Sequence, residues 1–251
     1  MAESFAAGPG GHTCDMSDAA ATPPPVHRDD LALARIATGR TIRDLTHAFI
    51  GHDAAVDDIR DIDSRLREIV HQLQRGEPRS RDPHSFGDHR RAAYPEGPFE
   101  CTSDDRPVSG AASPLGVDPD LRRVGDTIEA RVTLRSAHEG APGRSHGGIV
   151  AALFDDIFGF VLGVVGETAF TGRLTITYRA GTPLHTPLVC RVAPTSRQGR
   201  KLFMTGTLHT DDDANILVAE AETVFIIVDA ERLIADGLLH AERSADPTAT
   251  H

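Results

Sequence analysis

The chain has 251 residues, 39% of them hydrophobic, enough for a proper core in one large domain or in one medium domain with extensions. Its net charge of -11, with an isoelectric point near 5.6, makes a molecule that repels nucleic acid and acidic membranes, so an anionic ligand has to meet a local basic patch. Cys14, Cys101 and Cys190 are an odd number, far apart, with no Cys-x-x-Cys pair, which points to a reducing compartment and no disulfide framework.

Met1 to Thr22 contains Glu3, Asp15 and Asp18 and lacks a basic start followed by an apolar run. Neither a secretory signal nor a transit peptide is readable there, and the expected location is the cytoplasm. Residues 1–27 are rich in Ala, Gly, Pro and Ser, show no periodic apolar face, and are expected to be disordered. Residues 28–75 read as a helical extension. Leu33, Ile36, Ile42, Leu45 and Phe49, then Val56, Ile59, Ile62, Leu66, Ile69, Val70 and Leu73, recur at helical spacing and fit two helices broken near Gly51. Residues 76–98 are rich in Arg, Asp, His, Gly and Pro and read as a linker.

From residue 99 to about 230 the pattern changes to strands around one helix. Ile128 to Leu134 alternates apolar with polar residues, as a half-exposed strand does. Gly140 to Ser145 is a turn-forming loop, and Gly147 to about Gly163 is a strongly apolar helix. Asp155 and Asp156 interrupt that apolar run, so it reads as a buried helix with no membrane span. Four strands are expected to follow, Arg173 to Arg179, Leu188 to Thr195, Lys201 to Thr210 and Ile216 to Val228, with a polar hairpin at Asp211 to Asn215. Their connections are too short for crossover helices, which predicts an α+β domain whose largely antiparallel sheet covers its apolar face with the helix at Gly147. Residues 231–251 are a polar tail expected to fray.

The chemistry concentrates at that helix. His146-Gly147-Gly148 opens it, where unpaired backbone N–H groups and the positive end of the dipole make a natural oxyanion site. Asp155, a carboxylate in an apolar helix, is a candidate nucleophile or general base for water. Along one helix Gly147 and Asp155 stand roughly 12 Å apart, so they serve one carbonyl only if two subunits set these helices antiparallel.

The string Gly143-Arg144-Ser145-His146-Gly147-Gly148-Ile149-Val150-Ala151-Ala152-Leu153-Phe154-Asp155 resembles the signature of hotdog-fold acyl-CoA thioesterases of the phenylacetyl-CoA thioesterase-like branch, in the 4-hydroxybenzoyl-CoA thioesterase superfamily. Thr171 to Arg179 is similar to the family's next strand, Gly199-Arg200-Lys201-Leu202-Phe203 to a later one, and Ser113-Pro114-Leu115-Gly116 to its first strand region. The resemblance spans about residues 99 to 228. It implies a hotdog fold, an antiparallel sheet wrapped around the central helix, here with the N-terminal helical extension. It implies hydrolysis of acyl-CoA to carboxylic acid and CoA without metal or other cofactor, in a homodimer or dimer of dimers.

By the same resemblance Gly147 with His146 polarises the thioester carbonyl, and Asp155 of the neighbouring subunit is nucleophile or general base. Some members carry a threonine one turn after the carboxylate; here Gly159 stands there. Others carry it at the start of the next strand, where Thr171 stands, and Thr171 is assigned to positioning water or carboxylate. Gly148 is added as a substrate contact. Arg197, Arg200 and Lys201, helped by Arg179, suit the phosphates of CoA.

Each assignment has a plainer reading beside it. His146 could merely orient its loop, the basic turn could be a solvated surface, Asp156 reads as a satisfied neighbour and Tyr178 as sheet packing. His12, His84 and His89 show no metal-ligand spacing. Two rivals are a non-catalytic acyl-CoA sensor whose N-terminal helices regulate or bind DNA, and a hydratase pairing a carboxylate with a histidine. The acyl group itself is not legible, although Phe154, Phe158 and Phe160 are candidates for setting pocket depth.

Overall fold

The computed structural model describes residues 26–79 and 94–229. The expected disorder of 1–27, the linker, the tail at 231–251 and the histidines His12, His84 and His89 fall wholly or largely outside the described residues.

Helix α1 (Asp30–Gly51) begins where the Asp29 side chain accepts a hydrogen bond from the Ala32 N–H at 2.8 Å. It buries Ile36, Gly39, Arg43 and His47, one stripe at spacings of three and four. That stripe rests on the strand-free segment before residue 118: a Cβ on Gly39 would lie 2.3 Å from the Ala112 carbonyl oxygen, so only glycine fits. Arg43 donates to both Asp118 carboxylate oxygens, at 2.7 and 2.8 Å, and to the Ser113 carbonyl. Helix α2 (Val56–Gln74) follows after His52–Ala55 and has no buried residue.

Seven strands make one antiparallel sheet: β1 (Gly97–Phe99), β2 (Asp120–Val124), β3 (Thr127–Thr133), β4 (Ala169–Tyr178), β5 (Pro187–Gln198), β6 (Lys201–Thr210) and β7 (Leu217–Ile227). Their order is β1-β2-β3-β5-β6-β7-β4, so β4 is an edge. Helix α3 (Gly147–Val165) lies across β3, β4, β5 and β6. Its Leu153, Phe154, Ile157, Phe158, Phe160 and Val161 are fully buried, each contributing about 1.5–3 kcal/mol. By length and apolarity alone α3 could cross a bilayer; in this fold those residues fill the core instead. Gly166 ends it at φ +69, its N–H returning to the Leu162 carbonyl.

Two features depart from the expectation. The segment Ser113 to Gly116, likened to a first strand, is a pair of turns, with Gly116 N–H bonded to the Ser113 carbonyl and Leu115 N–H to the Ser113 hydroxyl. The sheet instead begins with β1 and β2, which the sequence did not reveal. In β2 only Leu121 points inward, and the adjacent Arg122 and Arg123 mask the alternation.

The end of α1 meets a 3-10 turn at Ser136–His138. His47 Nδ1 accepts from the Ala137 N–H and His138 Nδ1 from the Arg135 N–H, each at 3.0 Å, and the two rings meet edge to face at 4.7 Å. Burial, then His47 and Arg135, pushes the His138 imidazole down to about 4; burial, then Arg135, lowers that of His47 as well. Both folded values lie below the unfolded 6.5, so below that pH the unfolded chain binds the extra protons. Their neutral packing is fully present above about pH 6.5 and weakens as pH falls toward about 4. A fall in melting temperature from about pH 7 to about pH 5, smaller in His138→Gln, is the expected result by differential scanning fluorimetry.

Candidate active site

The loop entering α3 is pinned on three sides. His146 N–H bonds the His138 carbonyl at 2.8 Å, Ser145 N–H the Thr182 carbonyl at 2.9 Å, and Gly140 N–H the Arg144 carbonyl at 2.9 Å. His146 caps the helix, its Nδ1 accepting the Gly148 N–H at 3.0 Å. The neutral ring that makes this bond carries its proton on Nε2, a donor still available. Gly148, expected as a substrate contact, has its N–H taken by the cap. Gly147 N–H has no acceptor among the described residues and is the open backbone donor at this helix end.

Tyr178 belongs to this site, although its sequence position at the end of β4 suggested only packing. Its hydroxyl donates to the Gly147 carbonyl at 2.7 Å, and a Cβ on Gly147 would approach that hydroxyl to 3.0 Å. Glycine at 147 therefore lets the phenol lie on the backbone. Half of Tyr178 remains exposed beside the helix end.

Asp155, two turns further along α3, is exposed and accepts a hydrogen bond from the Thr171 hydroxyl at 2.7 Å. Thr171 lies near the start of β4, where the register with β7 shifts between Thr171 and Arg173. Such a bulge re-aims the side chain beside it. Gly148, Ala152 and Asp155, all exposed, form a small stripe on α3 that the other described residues leave uncovered, next to the β4 edge. Within the chain Gly147 and Asp155 remain apart, as the helix rise requires.

Asp156 points the other way. Arg106 Nη2 donates to its carboxylate at 2.9 Å and to its carbonyl at 2.7 Å, and the guanidinium sits 4.3 Å from the centre of the Phe160 ring. A Cβ on Gly159 would lie 2.7 Å from that Nη2, so the missing side chain at 159 is the space that the arginine fills. Phe154, Phe158 and Phe160 all lie in the core.

The basic residues divide between the two ends of the sheet. Arg179 follows the end of β4 beside the start of β7, whereas Arg197, Arg200 and Lys201 surround the β5–β6 turn beside the end of β7, roughly 23 Å of strand away. Arg179 is ion-paired with Glu220 at 2.6 Å and Arg197 with Glu167 at 2.5 Å. Arg200 and Lys201 are exposed and form no ion pair among the described residues. Arg144, a further exposed cation, lies at the head of α3 with its side chain against Gly181.

Residues 143–217 match the model of the thioesterase superfamily. Acyl-coenzyme A thioesterase THEM4 of Mus musculus is 34% identical over 94 residues, 38% of this chain and 40% of that protein. Acyl-coenzyme A thioesterase THEM5 of Homo sapiens is 31% identical over 93 residues, 37% of each chain. The match thus spans about two fifths of these relatives' length. The crystal structure of a thioesterase superfamily protein superposes with a TM-score of 0.64 over 81% of this chain and 97% of its own, at 22% identity. The segment from the loop before α3 to the start of β7 is thus similar to the thioesterase superfamily, and the fold around it is a hotdog fold with two N-terminal helices.

Proposed function

We propose that the protein is an acyl-CoA thioesterase that hydrolyses an acyl-CoA to the free acid and CoA at a site divided between two copies of the chain. The observation that carries this reading is the exposed Asp155–Thr171 pair on a face of α3 that the described residues leave uncovered. Apposing this face and the β4 edge with those of a second copy in antiparallel fashion brings Gly147 of one beside Asp155 of the other. The thioester oxygen then meets the Gly147 N–H and His146 Nε2–H, and Asp155, steadied by Thr171, activates water or attacks the carbonyl itself. The thiolate of CoA leaves with a proton, and the acyl carbon gains the hydroxyl.

The relatives named above are acyl-coenzyme A thioesterases by description, and the motif resemblance points to the phenylacetyl-CoA thioesterase-like branch. Arg200 and Lys201 suit the phosphates of CoA, since Arg179 and Arg197 already hold carboxylates. A cytoplasmic, reducing setting suits the free buried thiols of Cys101 and Cys190. DNA sensing is disfavoured by α2, whose five carboxylates outnumber its three arginines.

Released thiol measured across acyl-CoAs of different chain length and aromaticity tests the proposal; no turnover with any of them would overturn it. Within it Tyr178 acts through the Gly147 peptide. Tyr178→Phe is expected to lower kcat about tenfold with little change in KM, the scale of one lost hydrogen bond near the oxyanion donors.

A further inference from the structure

Helix α2 carries a complete apolar seam and nothing in the described chain buries it. Ile59, Ile62, Leu66, Ile69 and Leu73 recur at spacings of three, four, three and four, the 3.5-residue repeat of a coiled coil. Helix α1, by contrast, buries its stripe against its own domain. In α2 no residue is buried: Ile59, Ile62 and Leu66 are partly covered, and Ile69, Val70 and Leu73 are 51%, 49% and 66% exposed. The helix is held together from within: Asp57 pairs with Arg60, Asp61 with Arg65 and Asp63 with Arg67, all along its solvated flanks. It is a formed arm that presents one narrow hydrophobic edge.

The charges on that arm narrow what can cover the edge. A helix that lies on a membrane needs a basic polar face, and this one is acidic. A second copy of the same helix supplies the matching apolar repeat. The residues flanking the seam, Asp58, Arg65 and Gln72 on one side and Val56, Asp63 and Val70 on the other, decide the direction. Pairing in parallel sets Asp58 beside Asp63 of the other helix on both sides. Antiparallel pairing with Ile62 opposite Leu66 sets Asp63 beside Asp63 and Arg65 beside Arg65. Antiparallel pairing with Leu66 opposite Ile69 and Ile62 opposite Leu73 sets Asp63 beside Val70 and Arg65 beside Gln72, and no like charges meet.

We infer that α2 is a self-association arm that pairs antiparallel with α2 of a second copy, Leu66 packing against Ile69 of that copy. A helix of this length spans only about 28 Å. The pair therefore depends on the domains that hold the arms at high local concentration, and it in turn tightens their assembly. The pairing rests on the assembly of two copies proposed above, but not on the hydrolytic chemistry of that site.

The test leaves the seam intact and reads register directly. Full-length Arg65→Cys and Gln72→Cys variants, each also carrying Cys14→Ser, are co-expressed with different tags and treated with a short bis-maleimide; Cys101 and Cys190 are buried. The expected product is a covalent heterodimer linked from 65 to 72, about tenfold above a Ser64→Cys control on the outward face, as tethered partners should give. Cross-linking of Arg65→Cys to itself, a yield no higher than that control, or cross-linking that vanishes on dilution while the protein's mass stays that of a dimer, overturns the inference. The double variant Ile62→Asp and Ile69→Asp, in the same cysteine background, is expected to abolish the 65-to-72 product while circular dichroism and thiol release stay unchanged. Undiminished cross-linking there equally overturns it.

Discussion

Asp155→Asn is expected to lower kcat for thioester hydrolysis roughly a thousandfold, about 4 kcal/mol of transition-state stabilisation, while acyl-CoA binding stays within a few fold. The substitution keeps the size of the side chain, and its carbonyl oxygen can still accept the Thr171 hydroxyl that Asp155 accepts at 2.7 Å. What disappears is the negative charge and the basic lone pair, which both available roles require. A general base can no longer take a proton from water, and a nucleophile can no longer attack. Released thiol gives kcat, and calorimetry with a slowly hydrolysed acyl-CoA gives binding. Single turnover of the unaltered enzyme in oxygen-18 water then identifies an anhydride opened at the Asp155 carboxyl carbon, because only that route leaves the label on Asp155 and places an oxygen of Asp155 in the product acid. Near-normal turnover by Asp155→Asn would remove this residue from the chemistry, and the divided site with it.

Arg43→Ala is expected to destabilise the protein by about 3 kcal/mol and to release α1 from the domain. The guanidinium is 2% exposed and holds the Asp118 carboxylate through two bonds, together with the carbonyls of Ala111 and Ser113. Alanine leaves those carbonyls without their donor and a cavity under the helix. Asp118 itself is 49% exposed, so its charge returns to water, which places the cost at the low end for a broken buried pair. The same arginine holds Asp118 at φ +47, a conformation that non-glycine residues rarely keep unaided. Urea unfolding gives the stability, and limited proteolysis within α1 reports its release. Arg43→Lys should recover only part of the loss, because an ammonium cannot span both carboxylate oxygens and the two carbonyls.

The parts of the molecule that the sequence made legible are those whose logic is local. The alternation of Ile128 to Leu134, the polar turn at Asp211 to Asn215 and the apolar run from Gly147 each report one element within its own length, and β3, β6, β7 and α3 lie there within a residue or two. Candidate site residues close in sequence, from His146 to Thr171, were legible for the same reason. Tyr178 and Arg106 were not. The Tyr178 hydroxyl reaches a carbonyl 31 residues away, and Arg106 reaches a carboxylate 50 residues away. No periodicity encodes such meetings; they exist only once the sheet has closed on α3. A phenol bordering an exposed strand end and a cationic residue in a Pro-rich loop carry no signal of their own. The strands β1 and β2 at one end of the sheet escaped because three to five residues are too few for a pattern to emerge from charged side chains.

The guanidinium lodged over Gly159 has a consequence for how this chain can change over time. Moving the water-holding hydroxyl from the strand to the helix looks like a single step, Gly159→Thr, but the new side chain would collide with Arg106. Displacing that arginine strips Asp156 of its counterion inside the fold. The exchange therefore requires coordinated replacements at positions 106, 156 and 159, with unstable intermediates between them. On the proposed mechanism, the arginine over Gly159 thus leaves the water-holding role to Thr171.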